Sequence, residues 1–152
     1  MAADRTYVAE NQAQLTRLET LVDRLSDRDL ARPMDAGWTV SGVLAHLAFW
    51  DYRIVILLDG WGAEGRGTRP PVFSESSVDW VNDAGKPLCL ALPPREAARL
   101  AVAAAKAADQ RVAGLSEALI AANAAAGNPI NVHRAEHRRE HLDEIDRALA
   151  RR

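Results

Sequence analysis

Apolar residues recur at intervals of three and four along most of this 152-residue chain, and no stretch shows a convincing strand pattern. At that period side chains share one face of an α-helix. Each helix must then bury its stripe against another. Leu15, Leu18, Leu21, Val22 and Leu25 mark a first helix from about Asp4 to Leu30, with Asp4 or Thr6 as its cap. Thr39 caps a second helix that runs to about Gly60. Its apolar arc holds Val40, Val43, Leu47, Trp50, Ile54, Leu57, Leu58 and Trp61, while Gly42 and Ala45 are small enough to admit a neighbouring helix. Pro94 opens a third helix, reaching about Ala125, with a break near Gly114 and Ser116. Pro129 opens a fourth, from Ile130 to about Ala150, with Leu142, Ile145 and Leu149 as its firm apolar positions. Residues 60–95 are rich in glycine and proline, and a short helix over Ser74–Ala84, capped by Ser74, is predicted inside them. The expected fold is therefore all-α, a single domain over residues 1–152. It is an antiparallel-type four-helix bundle with one long crossover, about 60–95, between the second and third helices. A crossover of that length is placed to cover the mouth of a site.

Composition narrows the function classes. A net charge of −2 and a pI near 6.1 give no general attraction to nucleic acid or to an anionic membrane. No run approaches the ~18 apolar residues of a membrane span, and the N-terminus lacks a signal-peptide core. The lone Cys89 cannot form an internal disulfide and reads as a small buried filler. The expectation is a cytoplasmic protein that acts on a small molecule, without nucleic-acid or membrane partners. A homodimer through an apolar helix face is compatible with a bundle of this size.

Three of the four histidines fall in one segment, at 133, 137 and 141. Residues four apart lie one turn above each other on a helix, so the segment carries a ladder of imidazoles. With Leu142 set at zero and ~100° per residue, His141 lies near −100°, His137 near −140° and His133 near 180°. Leu142, Ile145 and Leu149 centre the core side near −50°, so His141 is the best interior candidate and His133 the weakest. Histidines at i and i+4 can grip one ion, and the fourth, His46, sits at the flank of the second helix's apolar arc. We expect His46 to meet two ladder histidines and hold a divalent metal with an open position. The bland alternative is a solvated charged helix and a hydrogen-bonded core histidine, since Arg134, Glu136, Arg138, Arg139, Glu140, Asp143 and Glu144 surround the ladder.

Two motifs carry a resemblance. Trp38-Thr-Val-Ser-Gly-Val-Leu-Ala-His46-Leu-Ala-Phe-Trp-Asp51 resembles the second-helix signature of the DinB/YfiT-like metalloenzyme family. His137-Arg-Arg-Glu-His141-Leu-Asp-Glu-Ile145 resembles that family's fourth-helix motif. The resemblance implies a four-helix bundle with a three-histidine site, commonly zinc or nickel, whose ligands here are His46, His137 and His141. It also implies a low-molecular-weight thiol such as mycothiol as co-substrate. The chain departs from many relatives at Asp143 and Glu144, where they carry Gly and Gln. The related mycothiol-dependent maleylpyruvate isomerases have a further C-terminal domain, so that exact activity is not the expectation here.

Other residues become candidates beside such a site. Arg53 lies two turns after His46 on the same side, and Arg134 and Arg138 project toward the inner side of the fourth helix. All three are candidates to hold a carboxylate or thiol co-substrate, or else they are helix-pairing charges. Glu140 is a candidate to orient a ligand ring, to act as a base, or to pair with an arginine. Asp51 reads as a cap or a supporting group. Trp38, Trp50, Trp61 and Trp80 read as core or pocket walls. Two function classes follow: a metal-dependent thiol transferase, isomerase or hydrolase, and a non-catalytic stress-related or interaction bundle with a structural or vacant metal site.

Overall fold

The computed structural model describes residues 2–151. Its helices are α1 (Thr6–Arg24), α2 (Asp27–Leu30), α3 (Val40–Trp61), α4 (Glu75–Ala91), α5 (Pro94–Ala113), α6 (Glu117–Ala125) and α7 (Arg134–Ala150), with a 3₁₀ turn at Asp35–Gly37. Among the described residues there is no strand, only an isolated bridge between Pro33 and Thr39.

Four long helices form the bundle. α3 borders α5 and α7, and α1 borders the same two from the other side. Side-chain pairings fix their directions. Tyr7 at the start of α1 donates to the Val112 carbonyl at the end of α5, so these two run antiparallel. Asn11 meets Ala135 while Arg17 meets Asp146, so α1 and α7 run parallel. His46 lies against His137 and His141 while Asp51 binds Arg134 and Arg138, so α3 and α7 are antiparallel. The topology is thus up-down-down-up rather than antiparallel throughout, with α3 and α5 as parallel neighbours. Parallel neighbours need a connection that returns the chain to its starting end. The crossover does this, and α4 runs within it.

The apolar interior is in two parts. One contains Leu18, Leu21, Leu30, Leu44, Leu47, Leu142 and Ile145. The other contains Tyr7, Ile54, Leu58, Trp61, Val112 and Ile130. Alanines 97, 98, 101, 104, 105 and 108 of α5 are all buried, which lets α5 approach α3 closely. Between the two parts lies a buried polar layer with one member from each bundle helix: Asn11, Asp51, Asp109 and Arg138. α3 alone, among the described residues, is long and apolar enough to cross a membrane, but 61% of its most apolar window is buried in the bundle.

Local chemistry explains where helices start and stop. Thr39 accepts from the Gly42 N–H at 3.0 Å and caps α3 as expected. The first helix does not continue to Leu30. Ser26 and Asp29 form a reciprocal capping box that starts a new turn, α2. At α1 the cap position is Arg5, without a side-chain cap, although Asp4 accepts from the Thr6 N–H. The fourth helix begins at Arg134 rather than Ile130, because Asn123 clamps both backbone groups of Ile130 and Asn11 holds the Val132 carbonyl. Asn11 also accepts from the Ala135 N–H, capping α7 from a different helix. The third helix breaks at Gly114–Ser116 as expected, and Ser116 caps α6.

The helix in the crossover is longer than expected and continues through Pro87. It lies against α3, where Trp50 Nε1 donates to Asn82 at 2.9 Å and Lys86 sits over the Trp38 ring. A Cβ on Gly42 would stand 2.8 Å from a methyl of Leu90, so glycine there admits α4 to close range. Trp80 is not a core or pocket residue. It is 63% exposed on the outer side of α4.

Candidate metal centre

α3 and α7 cross with the faces of His46, His137 and His141 turned to one another. His46 Nε2 and His137 Nε2 are 3.1 Å apart. The ring centroids of His46–His141 and His137–His141 lie 4.9 and 4.7 Å apart. One ring nitrogen from each histidine falls within 4.8 Å of the others. Two nitrogens bound tetrahedrally to zinc at ~2.05 Å stand ~3.3 Å apart, so the chain's own geometry is close to that of a ligand set.

The chemistry of the donors fits an ion as well. Burial, then the charge of His141, pushes the His46 imidazolium down to about 4. Burial, then the charges of His141, Arg134, His46 and Arg138, pushes His137 down to about 2. Both rings are neutral at ordinary pH, the form that ligates. His141 is oriented by Glu144, whose carboxylate lies 2.8 Å from Nδ1. A carboxylate accepts, so Nδ1 carries the proton and Nε2 keeps its lone pair. Three imidazoles, two of them held neutral by burial and the third backed by a carboxylate, suit zinc, nickel, copper or iron(II).

His133 stands apart. It occupies the cap position of α7, is exposed, and its ring stands edge-on to Tyr7 at 5.7 Å, away from the other three histidines. Its demotion on the helical wheel agrees with that placement.

The triad opens into a cavity of about 930 Å³ whose wall includes Trp38, Trp50, Arg53, Phe73, Arg134 and Glu140. Trp38 and Trp50 stand edge-on to His46, at 5.7 and 6.5 Å between ring centroids. Arg53 is sandwiched between aromatic rings, 5.5 Å from Trp50 and 4.3 Å from Phe73. Glu140 is exposed on the cavity wall and does not orient a histidine; Glu144 has that place.

Arg138 is not on the cavity wall, which corrects its assignment as a co-substrate residue. It is fully buried. Nε donates to Asp51 at 3.1 Å, Nη1 to Asp109 and the Asn11 carbonyl, and Nη2 to Asp109 and the Ala105 carbonyl. A guanidinium has five N–H groups, and all five are engaged. Burial opposes the charge, but the bonds to Asp109 and Asp51 outweigh it and raise the pKa of Arg138. The residue therefore ties all four bundle helices together behind the histidines. Arg134 is different. Nε binds Asp51 at 2.8 Å, while Nη2 is buried without a partner.

Sequence reasoning missed the role of Glu144 and the anchoring role of Asp51 with Asp109. For Glu144 the signal was present, since it lies three residues after His141 on the same helix face. For Asp51 and Asp109 none was, because their partner is 87 and 29 residues away.

The family model described as mycothiol maleylpyruvate isomerase N-terminal domain matches residues 12–127, more than half of the chain. The matched span contains His46, Asp51 and Asp109 and ends before α7, which brings His137 and His141. No curated protein and no solved structure matches the chain.

Proposed function

The chain belongs to the family of mycothiol maleylpyruvate isomerase N-terminal domains, and from that membership we propose a metal-dependent enzyme of DinB-like type. It acts on a small-molecule substrate, with a low-molecular-weight thiol such as mycothiol as co-substrate, in a transfer or isomerisation; hydrolysis is the second reaction such a site serves. The observation that carries this reading is the convergence of three imidazoles at a cavity wide enough for a substrate. Three protein ligands with an open side are the pattern of catalytic rather than closed structural sites. Zinc and nickel are the ions the family resemblance favours, and the three imidazoles suit both.

A divalent ion bound there supplies Lewis acidity, which lowers the pKa of a thiol or water in the open position. The chain's own residues do the rest. Glu144 holds His141 in the ligating tautomer. Trp38 and Trp50 stand edge-on to His46 and form part of the cavity wall around it. Glu140, exposed on the cavity wall, is placed to take up a proton from an incoming thiol or water. A cytoplasmic setting, where such thiols are abundant and Cys89 stays reduced, belongs to the same reading.

The test is a titration of cobalt-substituted protein with small thiols. A thiolate-to-cobalt absorption band is expected to grow with saturation. Protein that binds cobalt but gives no band with any thiol would favour hydrolysis or a purely structural ion.

A further inference from the structure

α4 is the one long helix that the bundle does not enclose. None of its 17 residues is buried, and α3 is the helix it packs against. Its sequence also disfavours a helix. Gly85 weakens the interior, and Pro87 removes the bond to the Asp83 carbonyl one turn back. Isolated helices of this length are marginal in water even when rich in alanine, so docking is what keeps α4 folded.

That docking rests on a few points. Asn82 accepts from Trp50 Nε1 at 2.9 Å. Lys86 lies 5.3 Å from the centre of the Trp38 ring and donates to the Ala36 carbonyl. Leu90 fills the space beside Gly42. Ahead of the helix, the Arg53 guanidinium lies 4.3 Å over the Phe73 ring. Both ends are loosely tied. Among the described residues no backbone hydrogen bond reaches residues 69–73. At the far end the chain leaves through Leu92, in extended conformation, and Pro93 into the Pro94 start of α5.

This segment covers the cavity. Val72, Phe73, Val78, Asn82, Asp83 and Lys86 all belong to its wall. Two of the anchor points, Trp38 and Trp50, are the rings that stand edge-on to His46. Releasing α4 therefore uncovers the surroundings of His46. The bonds of Asn11, Asp51, Asp109 and Arg138 that join the four bundle helices do not involve α4. Segments with few buried contacts open at the low end of a protein's stability range, while its core stays folded.

We propose that residues 69–91 are a hinged cover: α4 undocks from α3 and unfolds while the bundle stays intact, and the open form admits molecules to the three-histidine cavity. Closure then restores the wall around what has entered. The functional reading above bears only on what passes the cover, and the opening itself is tested on metal-free protein.

Hydrogen exchange on the full chain measures the opening. Amides of α4 are expected to exchange about 100-fold faster than those of α3 and α5, with little dependence on low urea concentrations. Two variants move it in opposite directions. Asn82→Ala removes the bond to Trp50 and should make opening about fivefold more frequent. Gly85→Ala should make it about fivefold rarer, because a Cβ there meets nothing within 4 Å and alanine favours the helix. A folding defect does not produce that second result. Access to the cavity is read by carbethoxylation of His46, which is 8% exposed, with the exposed His133 as internal standard. The His46 rate should rise in Asn82→Ala and fall in Gly85→Ala, each about fivefold, while His133 keeps its rate. Amides of α4 as protected as those of α3 and α5 would overturn the hinge. A His46 rate unchanged in both variants would overturn its role as a cover. Either failure leaves the metal reading untouched, and a protein that binds no metal leaves both measurements decisive.

Discussion

Nε2 of His46 and Nε2 of His137 approach to 3.1 Å across 91 positions of sequence. That contact exists because α3 and α7 run antiparallel, with the polar layer of Asn11, Asp51, Asp109 and Arg138 setting their register one turn away. The histidines are where the chemistry would occur, and the buried layer is what places them.

Asp51→Asn is therefore expected to be strongly destabilising. The amide keeps the size but removes the charge that both Arg134 and Arg138 face. Breaking a buried pair on one side costs about 3–5 kcal/mol. The exposed Asp35, paired with Arg151, is the control, and Asp35→Asn should cost no more than ~1 kcal/mol. Urea unfolding of the two variants checks the contrast, and equal midpoints would remove Asp51 from its structural role.

Glu144 is expected to tune metal affinity without supporting the fold. It is half-exposed and, among the described residues, bonds His141 Nδ1 alone. Glu144→Ala should weaken metal binding about 10–100-fold, and Glu144→Gln less, since its amide oxygen still accepts. Competition against a chromophoric chelator measures this. The melting temperature of the metal-free protein should move little in either variant.

The metal-free protein should lose stability as the solution becomes acidic. His46 has its folded-state pKa depressed from 6.5 to about 4, and His137 is depressed further. Below 6.5 the unfolded chain takes up protons that the folded chain refuses. The stabilisation is thus present above the unfolded value and declines as the pH falls from about 6.5 toward 4. Denaturation midpoints across that window should fall in wild type and fall less steeply in His46→Gln. A flat wild-type profile would show that the two rings are not held neutral.

Much of this was legible in the sequence, for a physical reason. Helical period is a local property, so the apolar stripes, the Thr39 cap and the break at Gly114–Ser116 could be read directly, and the same period ranked His141 and His137 above His133. It also turned Arg138 inward correctly. What it could not give was the partner. Asp51 and Asp109 reach Arg138 from two other helices, so a residue that reads as a ligand contact is instead the centre of the buried layer. The end of α4 was hidden differently. Gly85 and Pro87 read as helix-ending, but contacts of Asn82, Lys86 and Leu90 with α3 and the segment before it carry the helix on to Ala91. Ser26 with Asp29 did announce the end of α1, through a capping box that the leucine stripe overshadowed.

The most direct measurement is the metal content of purified protein after incubation with zinc, nickel or cobalt and exhaustive dialysis. About one divalent ion per chain is expected for wild type, as one three-histidine site requires. His46→Ala and His141→Ala should retain almost none, and His133→Ala should match wild type. A wild-type protein that emerges free of metal, or a His46→Ala variant that keeps its ion, would contradict the central claim that these three imidazoles form one site.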